Sequence, residues 1–142
     1  MQQNIMLMFA LYKRNFVKEG YEVFRDVFEL CCRSQVAKTF PGVPSYFENG
    51  DHGAYAYLTG SSTWLMLAMT TQVFGVRGET GDLCLAPKLV KEQFDTKNLA
   101  EIQCQFRSKK IRVIYQNTEG RDWPDYTIDS VELNGSRLDY SS

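Results

Sequence analysis

The stretch Ile102-Gln-Cys-Gln-Phe-Arg-Ser-Lys-Lys-Ile-Arg-Val-Ile-Tyr115 decides the fold class, because the apolar period there is two. Ile102, Cys104 and Phe106 alternate with Gln103 and Gln105, and Ile111, Val113 and Tyr115 alternate with Arg112 and Ile114. Side chains on a strand point to opposite faces in turn, so each run predicts a strand buried on one side. The basic run Arg107 to Arg112 falls between the two and reads as the turn that joins them. A further run, Tyr126, Ile128, Ser130, Val131 and Leu133, closes on Asn134-Gly135, a hairpin signal. Short strands with turn signals between them, from about Leu83 onward, predict an antiparallel β-sandwich.

Toward the N-terminus the period is helical instead. Ile5, Met8, Phe9 and Tyr12 lie at i, i+3, i+4 and i+7, and a second stripe runs Val17, Tyr21, Phe24, Val27, Phe28 and Cys31. The break near Asn15 is short, which predicts antiparallel neighbours, and Gly20 costs the second helix some stability. Thr59-Gly-Ser-Ser-Thr-Trp-Leu-Met-Leu-Ala-Met69 predicts a third helix, capped by small polar residues, apolar nearly all round and hence buried, with Gly75 placed to end it. The helical part gives way to the β part near Gly78 to Pro87, so the expected fold is α+β, with units at 1–80 and 81–142.

Between them, Ser34 to Gly60 carries Phe40-Pro-Gly-Val-Pro44 and the turn residues Asn49-Gly-Asp-His-Gly53. About 25 residues without regular structure usually mark a functional or a disordered loop. The aromatics Phe40, Tyr46, Phe47, Tyr55 and Tyr57 argue against disorder.

The chain has 142 residues and a formal charge of −1, which argues against a nucleic-acid interface or a membrane-attracting face. It shows no signal-peptide pattern and no apolar run near the roughly 20 residues that cross a bilayer. Cys31, Cys32, Cys84 and Cys104 form no Cys-x-x-Cys pair, and His52 is the sole histidine. Reduced thiols in a cytoplasmic protein, without a metal, are therefore expected.

Chemistry has two candidate locations. The helix start at Thr59 and Gly60 offers unpaired N–H groups and the positive end of a dipole, and Gly60 lets an anion approach the backbone. An ordinary cap made by Ser61 or Thr59 explains the same residues. Tyr46, Phe47, Tyr55 and Tyr57 could stack on sugar rings or simply pack in the core. His52, between Asp51 and Gly53, reads as a solvated turn residue, and Glu79, Asp82 and Glu92 form no recognisable catalytic pair.

Phe40-Pro-Gly-Val-Pro-Ser-Tyr-Phe47 and Gly53-Ala-Tyr-Ala-Tyr-Leu-Thr-Gly-Ser-Ser-Thr-Trp64 resemble segments of glycoside hydrolase family 94. So do Val73-Phe-Gly-Val-Arg-Gly-Glu-Thr-Gly-Asp-Leu83, Ala86-Pro-Lys-Leu89 and Glu92-Gln-Phe-Asp95. The family contains cellobiose, cellodextrin, laminaribiose, chitobiose and β-1,2-oligoglucan phosphorylases. The resemblance implies the last helices of an α/α barrel of six hairpins, followed by part of a C-terminal antiparallel β-sandwich. It also implies that Thr59 and Gly60 bind inorganic phosphate, the co-substrate, and that no further cofactor is used.

The reaction so implied is a single inverting displacement at a β-glucosidic bond, yielding α-glucose 1-phosphate. The family's general-acid Asp, and a His and an Arg on the phosphate, lie upstream of the matched segments, so no catalytic residue is assigned in this chain. The expectation is a piece of a larger phosphorylase, clipped at both ends and inactive alone, whose exposed helix faces associate with a second copy or a missing partner. A non-catalytic carbohydrate-binding module, or a structural remnant, is the alternative.

Overall fold

A computed structural model describes residues 1–39, 42–49, 52–55 and 60–139. Two helices open the chain, α1 (Gln2–Lys13) and α2 (Val17–Cys32). Asn15 adopts φ 68°, and a pair of capping bonds closes α1: Asn15 N–H to the Tyr12 carbonyl at 3.1 Å and Phe16 N–H to the Leu11 carbonyl at 2.9 Å. That left-handed cap turns the chain back on itself. The predicted stripe of α1 is buried at Ile5, Met8 and Tyr12, and that of α2 at Val17, Val27 and Cys31. Gly20 has a packing reason the sequence did not show. A Cβ there would lie 2.6 Å from Cδ2 of the Tyr12 ring, so the helices approach through a missing side chain.

The expected loop contains a short helix, α3 (Ser34–Ala37), and a small hairpin of β1 (Tyr46–Glu48) and β2 (His52–Ala54). Gly53 is required there, since a Cβ would meet Thr39 Cγ2 at 2.6 Å and the Ala37 carbonyl oxygen at 2.9 Å.

The third predicted helix is α4 (Gly60–Ala68), which runs into a π-helical stretch at Met69–Val73. Thr71 Oγ1 donates to the Leu67 carbonyl at 2.7 Å, and Phe74 N–H reaches the Met69 carbonyl, five residues back, at 2.9 Å. Gly75 stops the helix at φ +63°. The expectation that α4 is buried all round is corrected: Ser61 and Ala68 are buried against α1, whereas Met66 is 69% and Leu67 44% exposed. A nine-residue helix laid on one neighbour covers one face only.

After α4, strands begin earlier than the alternation suggested, with β3 (Val76–Glu79) paired to β4 (Asp82–Leu85). The longest hairpin joins β5 (Leu99–Phe106) to β6 (Lys109–Gln116); its turn is Arg107 and Ser108, both at positive φ, whereas Lys109 to Arg112, expected in the turn, pair with β5 as the start of β6. Its burial alternates as predicted, with Ala100, Ile102, Cys104 and Phe106 inward and Glu101, Gln103 and Gln105 outward. The strand expected over 126–133 shrinks to β7 (Val131–Leu133), paired with β8 (Ser136–Leu138). Tyr126 sits outside any strand because its hydroxyl accepts from Leu89 N–H at 2.7 Å and donates to the Leu89 carbonyl at 3.1 Å. Among the described residues the strands form four separate two-stranded antiparallel pairs, so the architecture is α+β.

The main core joins Met8, Tyr12, Val17, Ala68 and Val73 to Leu89, Val90 and Ala100, crossing the expected boundary at residue 80. A smaller cluster of Ile5, Val27 and Cys31 lies nearer the start of α1, with Val43, Phe47 and Trp64 packed on it. No helix among the described residues is long and apolar enough to cross a membrane.

Candidate functional site

Gly60 is the first residue of α4, as the anion-site reading requires. Thr59, the other expected phosphate ligand, lies outside the described residues, as does Tyr57 of the expected substrate loop. The surroundings of Gly60 are set by the far end of α1. A Cβ on Gly60 would stand 3.0 Å from Gln2 Nε2 and 3.1 Å from Gln2 Cδ, so the Gln2 carboxamide lies against the bare backbone at the helix start. The Gln2 backbone N–H also donates to the Ser45 carbonyl at 3.4 Å, which links this first turn of α1 to the residue before β1. One residue thus touches both the α4 start and the aromatic hairpin. Nothing in the sequence singled Gln2 out, because the contact spans 58 positions and obeys no period.

Ser61 does not cap α4 as the ordinary reading expected. Its side chain is fully buried, and its hydroxyl has no hydrogen-bond partner among the described residues. Ser61 lies in the first turn of α4. A buried hydroxyl without a partner is costly unless something else supplies one.

Of the aromatic residues, Tyr46 is 48% and Tyr55 71% exposed, leaving ring faces free. Tyr55 is held at φ 58°, and its carbonyl accepts from Ser45 N–H at 3.1 Å. Phe47 instead packs on the smaller cluster beside Trp64, whose ring meets Phe9 edge-on at a centroid distance of 5.4 Å. His52 is exposed on β2, opposite Glu48, as a solvated turn residue would be. Glu79 and Asp82 face each other across the β3–β4 hairpin, and Glu92 lies apart in a 3-10 turn at Lys91–Gln93.

The four cysteines are free thiols; burial, then the neighbouring Cys32, pushes the Cys31 thiol above its ordinary range. Among the described residues no three His, Cys, Asp or Glu side chains gather into a group able to hold a metal ion.

No protein-family model matches the chain, and a search of curated proteins finds no similar sequence.

Proposed function

We propose that the chain is part of an inverting glycoside phosphorylase, one that cleaves a β-glucosidic bond of a di- or oligosaccharide with inorganic phosphate. In this reading Thr59 and Gly60 hold the phosphate at the α4 start, and Tyr46, Tyr55 and Tyr57 belong to the sugar-binding loop. One phosphate oxygen attacks the anomeric carbon from the face opposite the leaving group. The bond to the glycosidic oxygen breaks, that oxygen takes a proton from a carboxylic acid, and the product is α-glucose 1-phosphate. Phosphate stands where a base-activated water stands in an inverting hydrolase, so one carboxyl group suffices. The acid comes from another part of the protein.

The observation that carries the reading is the unpartnered, buried Ser61 hydroxyl in the first turn of a helix that opens on a bare glycine. A helix start offers amide N–H groups and the positive end of a dipole to an anion, and Ser61 lies in the same turn. The helices would then be the last of an α/α barrel and the hairpins part of a β-sandwich, in a cytoplasmic enzyme. The exposed Met6, Leu7, Phe28 and Met66 support association of those helix faces with further helices or a second copy.

The test is phosphate titration of the isotope-labelled chain, followed at the amides of 60–63. Ser61→Ala should weaken phosphate binding about tenfold while leaving stability unchanged or raised, since it removes a hydroxyl that the fold does not satisfy. Absence of phosphate-dependent shifts at those amides sinks the site. The chain by itself should release no glucose 1-phosphate from cellobiose and phosphate, and turnover above background would contradict the external acid.

The exposed rings of Tyr46 and Tyr55 favour a second reading, a non-catalytic carbohydrate-binding module. It requires sugar binding independent of phosphate, lost on Tyr57→Ala and kept on Thr59→Ala.

A further inference from the structure

A groove of about 470 Å³ opens between the 3-10 turn at Lys91–Gln93 and the β5–β6 hairpin. It shares no residue with the α4 start or the aromatic hairpin. Phe74 and Phe94 line it. Both are half-buried and packed on the main core, so their ring positions are fixed from behind. Tyr115 fixes the Phe74 segment further by donating its hydroxyl to the Phe74 carbonyl at 2.6 Å.

The polar lining is preorganised too. Arg112 Nε and Nη2 donate to the two Glu101 oxygens at 2.7 and 2.6 Å. Asp95 Oδ1 accepts from Lys97 and Leu99 N–H at 2.8 and 2.9 Å, which holds its carboxylate at the groove's edge. With exposed Glu92 the lining carries three carboxylates and one guanidinium, and the guanidinium is already engaged by Glu101.

That balance excludes an anion, which would meet excess negative charge. It also excludes a wholly apolar ligand, which would strip water from carboxylates and give nothing back. A pyranose ring meets both halves of the lining: its C–H face lies on an aromatic ring, and its hydroxyls donate to carboxylate oxygens. The volume falls within the roughly 300–1,000 Å³ usual for small-molecule sites. We propose that this groove binds a neutral oligosaccharide through one pyranose ring stacked on Phe94, with Glu92 and Asp95 accepting from its hydroxyls. The site needs no phosphate and stands whether or not the phosphorylase reading does.

The experiment is titration of the isotope-labelled full chain with cellotetraose in phosphate-free buffer. Shifts are expected at the amides of Phe94, Asp95, Leu99, Glu101 and Arg112. Phe94→Leu, which keeps apolar bulk but removes the ring face, should weaken binding about three- to tenfold. Glu92→Ala, at an exposed side chain, should weaken it about threefold and decides the matter alone if the Phe94 variant does not fold. Added inorganic phosphate should leave it unchanged, which separates this groove from the α4 site. Absence of shifts at these amides, shifts confined to Tyr46, Tyr55 and the α4 start, or affinity untouched by the groove variants would each overturn the proposal. So would shifts of the same amides by a lysine-rich peptide but not by the sugar.

Discussion

Tyr12 shows how one side chain can be both indispensable and improvable. Its ring is fully buried in the main core and fills the space that Gly20 leaves open, yet its hydroxyl has no partner among the described residues. Burial, with the nearby hydroxyls of Tyr21 and Tyr126 adding to it, drives its pKa far above the ordinary tyrosine value, so it stays neutral. Tyr12→Phe keeps the ring and deletes the unsatisfied group, and should stabilise the chain by about 1 kcal/mol. A rise in the urea midpoint at unchanged slope would show it. Gly75→Ala should do the reverse. Its Cβ would lie 2.0 Å from the Ala86 carbonyl oxygen, at a backbone φ of +63° that side chains avoid, so a loss of more than about 2 kcal/mol is expected from the same measurement. Helix propensity marked Gly20 as a weakness; only the Tyr12 ring explains it. Contacts between residues far apart leave no local pattern, which is also why Gln2 escaped notice beside Gly60.

Among the elements, those stabilised by their own periodicity were the readable ones. The stripe of α1, that of α2 apart from the exposed Phe28, the break at Asn15 and the alternation of β5 and β6 appear as expected, while the turn expected over Arg107 to Arg112 contracts to Arg107–Ser108. The elements misread are set by single hydrogen bonds or close approaches: the Tyr126 hydroxyl that holds residues near 126 out of a strand, and the tight fit at Gly53 behind the β1–β2 hairpin. Of the candidate site, the helix start at Gly60 was legible as sequence chemistry, whereas the buried Ser61 hydroxyl was not. The β5–β6 hairpin carries its own pH signature. In register Glu101 faces Ile114 and Arg112 faces Gln103, so the Glu101–Arg112 pair is diagonal. Arg112, then Gln103, hydrogen-bonds the Glu101 carboxylate and lowers its pKa from 4.5 to about 2. A depressed carboxylate adds stability that is full above its ordinary value and is lost as pH falls through its folded one. The stability difference between the native chain and Glu101→Gln should therefore hold above pH 4.5 and close toward pH 2. A difference constant across that window would show that the pair does not couple to folding.

Over the whole molecule, the division near residue 80 that the change of period suggested coincides with no gap in the packing. Leu89, Val90 and Ala100 complete a core whose other members come from α1, α2, α4 and the π-helical stretch. Residues 1–80 produced alone would present that surface to water, so they should lack a cooperative thermal transition and a dispersed amide spectrum. A cooperative transition for that piece would show that the helices fold independently of the β part. The helical part also exposes Met6, Leu7, Phe28, Met66 and Leu67, a large apolar share for so small a unit.

Lys88 is one of the contacts that carry this interdependence. Its ammonium donates to the Tyr12 carbonyl at 2.8 Å, from 76 residues further along the chain, and lies 5.9 Å from the centre of the Trp123 ring. Burial, then Arg77, lowers its pKa, so the fold holds this charge at some cost in exchange for that bond. Helices α1 and α2 pair through local contacts, and the Tyr12 carbonyl in the last turn of α1, already bonded to Asn15 N–H, takes this second donor from the β part. Closing so long a loop is slow, and its entropy must be met before the bond forms. Displacing the segment after β4 would remove one of the two donors on the Tyr12 carbonyl, so a change in the β part reaches the end of α1 directly.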